Sequence, residues 1–236
     1  MVTTMLELPD NPIATPEHDQ EMNIRLSDAP NWIYLLREFY EIYRYLSPAG
    51  SNQIRSHQRA VREAISRLMA SNAIIKPGTG ITKPVTGHLR RAIDEGLMER
   101  HANFLRCIDA ISDSIDWQYG YEKVPRGLKD KFAYAEFSGP FGPVISQEVI
   151  LGIVLFAPNC TYPAHAHDGI TESYFCLSGA VSENHQGVYA PGSLIFNPSG
   201  HRHRITVSNR EPALMAYAWV GPKEKLSDQK MMFSRK

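Results

Sequence analysis

Between residues 163 and 179 the chain reads Pro163-Ala-His165-Ala-His167-Asp-Gly-Ile-Thr-Glu172-Ser-Tyr174-Phe-Cys-Leu-Ser-Gly179, the stretch whose residue types and spacing point most directly to chemistry. In an extended strand residues i and i+2 share a face, so His165 projects with His167, and Glu172 with Tyr174. Asp168-Gly169 leaves room for a turn between the two pairs. If the segments pair across that turn, two imidazoles and a carboxylate converge on one point. Such a set suits a divalent ion of the first transition row. A lone His or Glu in a β protein is more often a surface group; three of them on inward faces would be costly to bury without a metal.

A fourth donor comes from Gly192-Ser-Leu-Ile-Phe-Asn-Pro198-Ser-Gly200-His201-Arg-His203, where a Pro-x-Gly turn leads into a strand. His201 and His203 share a face of that strand, so periodicity alone leaves the choice between them open. The remaining histidines, at positions 18, 57, 88, 101 and 185, have no comparable neighbours and are expected at the surface.

These residues need a scaffold, and the pattern along the chain supplies an α+β one. Residues 1–27 are acidic and carry Pro9, Pro12 and Pro16, which suggests an irregular arm. Trp32, Leu35, Leu36, Phe39, Ile42, Tyr43 and Leu46 then recur at helical spacing, with a start at Asp28 and Pro30 and a stop at Ser47-Pro48-Ala49-Gly50. Ile54, Val61, Ile65 and Leu68 mark a second helix, and Lys76-Pro77-Gly78-Thr79-Gly80 interrupts the chain. A third helix is expected from about Thr86 through Leu89, Ile93, Leu97, Phe104, Ile108, Ile111 and Ile115. The helical region is thus expected over 1–116, its stripes packing on one another and on the C-terminal half of the chain.

From residue 117 to 236 the character is β. Ten of the 16 glycines lie after residue 120, and short β-rich runs alternate with turns. Strands are expected at Phe132–Phe137, Glu148–Phe156, Ser173–Leu177, Val188–Ala190, Ser193–Phe196, Arg204–Ser208 and Leu214–Val220, as in a sandwich or barrel.

Composition excludes several classes of function. The 25 basic and 25 acidic residues balance overall, with 13 and 15 before residue 121 and 12 and 10 after it, so neither half is a nucleic-acid module. No apolar run approaches the roughly 20 residues of a membrane-spanning helix. The three cysteines (107, 160, 176) are odd in number and widely spaced, which argues for buried thiols in a reducing compartment. With no basic n-region or apolar h-region at the N-terminus, a cytoplasmic location is expected.

At the ligand-bearing residues the chain resembles the cupin superfamily. His165, His167, Glu172 and Gly179 hold the spacing of its first motif, G-x5-H-x-H-x3–4-E-x6-G, with Asn159 in place of the leading glycine. Gly192, Pro198, Gly200 and His203 match the second, G-x5-P-x-G-x2-H-x3-N, with Val207 in place of its final asparagine. This register favours His203 as the fourth ligand and implies a double-stranded β-helix over 117–236. The Glu172-x-Tyr174 extension, the helical N-terminal half and the length together resemble the cupin-type dimethylsulfoniopropionate lyases, most closely their DddL branch.

That resemblance implies a carbon–sulfur lyase that cleaves dimethylsulfoniopropionate to dimethyl sulfide and acrylate, with one divalent Fe, Zn, Mn, Ni or Co ion held by His165, His167, Glu172 and His203. β-Elimination from a sulfonium carboxylate needs a Lewis acid for the carboxylate, a base near the α-carbon, and a cavity that accepts a fixed cation. Tyr174, on the ligand face, and Tyr162, at a position where related lyases carry a catalytic tyrosine, are the candidate bases. Tyr217 and Trp219, on the last expected strand, are the candidate wall for the sulfonium. Two other functions fit a cupin: an Fe(II) dioxygenase, and a small-molecule binding protein without turnover. The expected partner is a small molecule, with neither nucleic acid nor membrane, and exposed sheet edges make a homodimer reasonable.

Overall fold

A computed structural model describes residues 24–46, 50–120, 124–229 and 231–233. Most of the expected arm, residues 1–23, and most of the stop signal at Ser47-Pro48-Ala49-Gly50 lie outside the described residues. Residues 24–27 are tied down: the Leu26 N–H donates to Ala73 O at 2.9 Å and the Leu26 side chain is buried.

Helix α1 (Pro30–Tyr45) begins with proline in its first turn, where a missing N–H costs nothing. It buries the expected stripe from Trp32 to Tyr43. Helix α2 (Asn52–Ala70) is capped by the Ser51 hydroxyl, which accepts from Ile54 N at 3.3 Å. The expected third helix is two helices, α3 (Leu89–Gly96) and α4 (Ala102–Ile111). The first ends at Gly96, where a Cβ would lie 2.4 Å from Leu105 Cδ1 and 2.9 Å from Leu177 O. Helical periodicity continues through the break, because both helices bury apolar residues in the same core.

After the short α5 (Arg126–Lys129) the chain forms β1 (Phe132–Gly139), β2 (Val144–Ile145), β3 (Ile150–Phe156), β4 (Thr161–His167), β5 (Thr171–Ser178), β6 (Val181–Glu183), β7 (Leu194–Asn197), β8 (His203–Val207) and β9 (Ala213–Val220). Helix α6 (Lys223–Asp228) and β10 (Met231–Phe233) close it. One sheet runs β2-β1-β3-β9-β5-β7 and the other β10-β4-β8-β6. This is the two-sheet cupin-type barrel behind an N-terminal helical layer.

The central strands of the larger sheet, β1, β3, β9 and β5, are largely buried on both faces. Ala135, Phe137, Ile153, Leu155, Leu177 and Ala216 belong to one core with the helices. Their alternates Val154, Phe156, Tyr174, Met215 and Tyr217 pack inside the barrel with Tyr162, Ile205 and Val207 of the smaller sheet. The helical layer therefore covers the barrel's outer face.

Several strands differ from expectation. Val188–Ala190 forms no strand; after positive φ at Asn184 (48°) and His185 (60°) only a single bridge joins Tyr189 to Val181. β6 and β10 are three residues each, too short for alternation to register. Asn159 takes φ 56°, a left-handed turn that asparagine tolerates better than most residues and that the motif's glycine would adopt freely. Gly179, also left-handed at φ 73°, sits where a Cβ would meet Pro212 O at 2.2 Å. All three cysteines are free; Cys160 and Cys176 are buried and Cys107 half-buried. No helix among the described residues is long and apolar enough to cross a membrane.

Candidate active site

The strand pairing that would bring the donors together across Asp168-Gly169 does not occur. β4 pairs with β8 and β10, while β5 pairs with β7 and β9, so the turn carries the chain from one sheet to the other. His165 and His167 (β4) and Glu172 (β5) still converge, because they face each other across the barrel interior. His203 stands directly opposite His165 in the β4–β8 register. That register slips between Tyr162 and His165, at Pro163, which has no N–H to give a ladder.

Together His165, His167, Glu172 and His203 offer four donor atoms within 4.8 Å of one another, and at most 3% of any of these residues is exposed. Their geometry fits a metal. His165 Nδ1 lies 2.9 Å from Pro163 O and His203 Nδ1 3.2 Å from His201 O. A carbonyl can only accept, so each Nδ1 carries a proton, and in the neutral ring each Nε2 is left with its lone pair for a metal. Both His167 nitrogens are buried without a hydrogen-bond partner. His201 is exposed.

Glu172 is the hub. Its Oε1 accepts the Trp219 indole N–H at 2.7 Å and its Oε2 the Asn197 amide at 3.3 Å. Oε2 also lies 2.9 Å from His203 Nε2, and Oε1 3.7 Å from His167 Nε2. Burial works against the carboxylate's charge, but His167 and His203 outweigh it and hold Glu172 below the usual carboxylate range. Burial, with repulsion from His203, pushes His165 down to about 3, and burial lowers His167 as well. Burial opposes a charge on His203 too, yet the Glu172 carboxylate beside it raises it above the ordinary imidazole value.

The cluster opens on a cavity of about 370 Å³. The candidates Tyr162, Tyr174, Tyr217 and Trp219 line it, and so do Tyr119, Phe132, Tyr134 and Gln229, which sequence reasoning missed. Tyr162 stacks on Phe132 at 4.4 Å and meets His165 edge-on at 4.7 Å. Trp219 lies 4.4 Å from His167 and 5.7 Å from Tyr217, centroid to centroid. Among the described residues the lining includes five tyrosines and no lysine or arginine. Phe132 and Tyr134 alternate on an expected strand, so period two could have placed them; nothing local marks Gln229 or Asn197.

The other histidines differ from expectation in part. His57 is buried, its Nε2 2.8 Å from Ser173 Oγ, which also lies 2.7 Å from the Tyr43 hydroxyl. His101 is half-buried, edge-on to Phe175 at 4.7 Å, and His88 is half-buried. His185 is exposed, and His18 lies outside the described residues.

Comparison with known proteins agrees with this architecture. Residues 56–215 match the family model for dimethylsulfoniopropionate lyase. A protein of Cereibacter sphaeroides named as a candidate dimethylsulfoniopropionate lyase, DddL, is 45% identical over 211 residues, 89% of this chain and 91% of its own. Among solved structures, one from a study of the lyases RdDddP and RnDddQII superposes with TM-score 0.65 at 20% identity, covering 87% of this chain and 98% of that one. The lyase DddQ of Ruegeria pomeroyi superposes with TM-score 0.63 at 20% identity, covering 82% and 92%. The structural likeness at that identity establishes a shared fold. The sequence match over nine-tenths of the chain places this protein in the dimethylsulfoniopropionate lyase family, a family of carbon–sulfur lyases.

Proposed function

We propose that the protein cleaves dimethylsulfoniopropionate to dimethyl sulfide and acrylate by β-elimination. The observation that carries this reading is a buried three-histidine, one-carboxylate set opening on a cavity with aromatic walls and, among the described residues, no lysine or arginine in its lining. His165, His167, Glu172 and His203 would hold a divalent ion, which when bound supplies Lewis acidity toward the substrate carboxylate.

The chain's own residues divide the remaining work. Aromatic faces of Trp219, Tyr217 and Tyr134 receive the permanent sulfonium cation, which cannot donate a hydrogen bond and so gains little from polar partners. A tyrosine phenolate takes the α-proton onto its oxygen. The C–H pair becomes the α,β double bond, and the β-carbon–sulfur pair leaves on dimethyl sulfide. Tyr174 is the first candidate for that base and Tyr162 the second, as both line the cavity beside the donor set. Burial and the Glu172 charge on their own keep Tyr174 a neutral phenol, raised well above the usual value. Its phenolate must therefore draw on positive charge brought into the cavity.

The test is headspace detection of dimethyl sulfide, with acrylate in solution, after substrate is added to metal-loaded protein. Stoichiometric release of both without oxygen consumption is expected. Binding without release, or oxygen-dependent turnover, overturns the proposal.

A further inference from the structure

Glu136 is a second inward-facing carboxylate that the elimination leaves unused. It stands in one cross-strand row with Gly152, Tyr217 and Tyr174. Three strand spacings separate it from Tyr174, roughly 14 Å at the usual 4.7–4.9 Å each. It is 5% exposed, and no ion pair reaches it among the described residues; the donors it has are neutral. One oxygen accepts from Phe141 N at 3.0 Å, and the other from the Gln229 amide nitrogen at 2.9 Å.

Gln229 links this carboxylate to the cavity. It ends α6 in left-handed backbone (φ 43°) and lines the cavity wall. A carboxylate acceptor fixes which way its amide faces: nitrogen toward Glu136, oxygen as the other pole. The charge on Glu136 reaches the aromatic wall as well. It adds to burial in pushing Tyr134 up to about 12 and Tyr217 well above the usual value. Among the described residues this buried carboxylate has only neutral donors and no counter-charge, and a permanent cation in the adjoining cavity would supply one.

We propose that Glu136, held by Gln229, is the counter-charge for the onium end of the substrate, and that this pair makes the cavity select a permanent cation over a neutral group of the same shape. The proposal rests on the lyase reading for the identity of its zwitterionic substrate. Neither residue touches the reacting atoms; Glu136 is a positioning residue that acts through Gln229 and through its field.

The test uses two unreactive carboxylates of one shape, 3-(trimethylammonio)propanoate and 4,4-dimethylpentanoate, bound to metal-loaded protein in a calorimeter. The wild type is expected to prefer the cation, and Glu136→Gln to lower that preference on the order of tenfold while binding the neutral compound as before. Gln229→Met, which removes the donor that favours the charged carboxylate, should lower it severalfold, and it carries the test should Glu136→Gln fail to fold. A wild-type preference near one, or an unchanged preference in a folded Glu136→Gln or Gln229→Met protein, overturns the proposal and leaves Glu136 as a clasp for the turn at Phe141. A protein that releases no dimethyl sulfide yet shows the expected preferences keeps the cation end and loses the lyase reading. Release of dimethyl sulfide with a preference near one does the reverse.

Discussion

Trp219 donates its indole N–H to Glu172 at 2.7 Å from the position directly opposite it in the β5–β9 register. The bond occupies one oxygen of the donor set's single carboxylate, and the indole ring lies 4.4 Å from that of His167, tilted by 50°. One side chain thereby bonds a proposed metal ligand and forms part of the proposed wall for a cation.

Trp219→Phe separates those two roles, since it keeps an aromatic face and loses the N–H. Outer partners of this kind are worth roughly 10–100-fold in metal affinity. Competition against a chelating dye should show a loss in that range, with the unfolding transition nearly unchanged. Unaltered affinity would mean that Glu172 needs no help from the indole.

His201 and His203 offer a sharper contrast. One is exposed and gives its carbonyl to the other's Nδ1; the other is buried in the donor set. Elemental analysis of purified variants should find the metal lost in His203→Ala and retained in His201→Ala, because alanine at 201 keeps that carbonyl. The reverse pattern would move the fourth ligand to His201.

The donor set was legible because strand alternation and motif spacing are local, and each fixes a face without knowledge of the partner strand. The route by which the donors meet was not. A hairpin and a crossover between sheets place His167 and Glu172 at the same separation in sequence, and only the long-range pairing of β5 with β9 distinguishes them. The same limit hid Asn197, Glu136 and Gln229, whose roles depend on residues 25 to 93 positions away. The break after Gly96 was hidden too, since apolar residues recur at helical spacing on both sides of it. His57 was misplaced because its neighbours in sequence are polar, while its partner Ser173 lies 116 positions on.

Burial pushes His57 down to about 4, with the Glu172 charge opposing only in part. In the unfolded chain it titrates near 6.5. Between those values the unfolded state binds more protons, so stability is intact above about pH 6.5 and falls as the pH drops toward 4. The loss amounts to about 3 kcal/mol. His57→Gln should flatten that fall. Urea denaturation of both proteins across pH 7.5 to 4.5 checks it, and parallel curves would show that His57 does not carry the dependence.

The helical layer shares its core with the barrel's outer face, including Phe137, Ile153, Leu155 and Leu177. A fragment 116–236 would present that apolar face to water, so it should be insoluble on expression. A soluble, fully active fragment would make the helices an independent unit.

The choice of base between Tyr174 and Tyr162 is open to direct test. Tyr174 shares a strand face with Glu172, and its ring lies 6.1 Å from that of His203. Tyr162 meets His165 edge-on within β4, in the sheet opposite that of Tyr174. Phenylalanine at either position keeps the ring and its packing while removing the proton acceptor. Loss of a general base costs about 10²–10⁴-fold in rate, so Tyr174→Phe should lower kcat by that order with metal content unchanged, and Tyr162→Phe by much less. The larger loss at Tyr162 would reassign the base to the stacked tyrosine. α-Deuterated substrate adds an independent measure, since proton abstraction that limits the rate gives a primary isotope effect on kcat. Near-normal kcat in both variants, with metal retained, would rule out both Tyr174 and Tyr162 as the base.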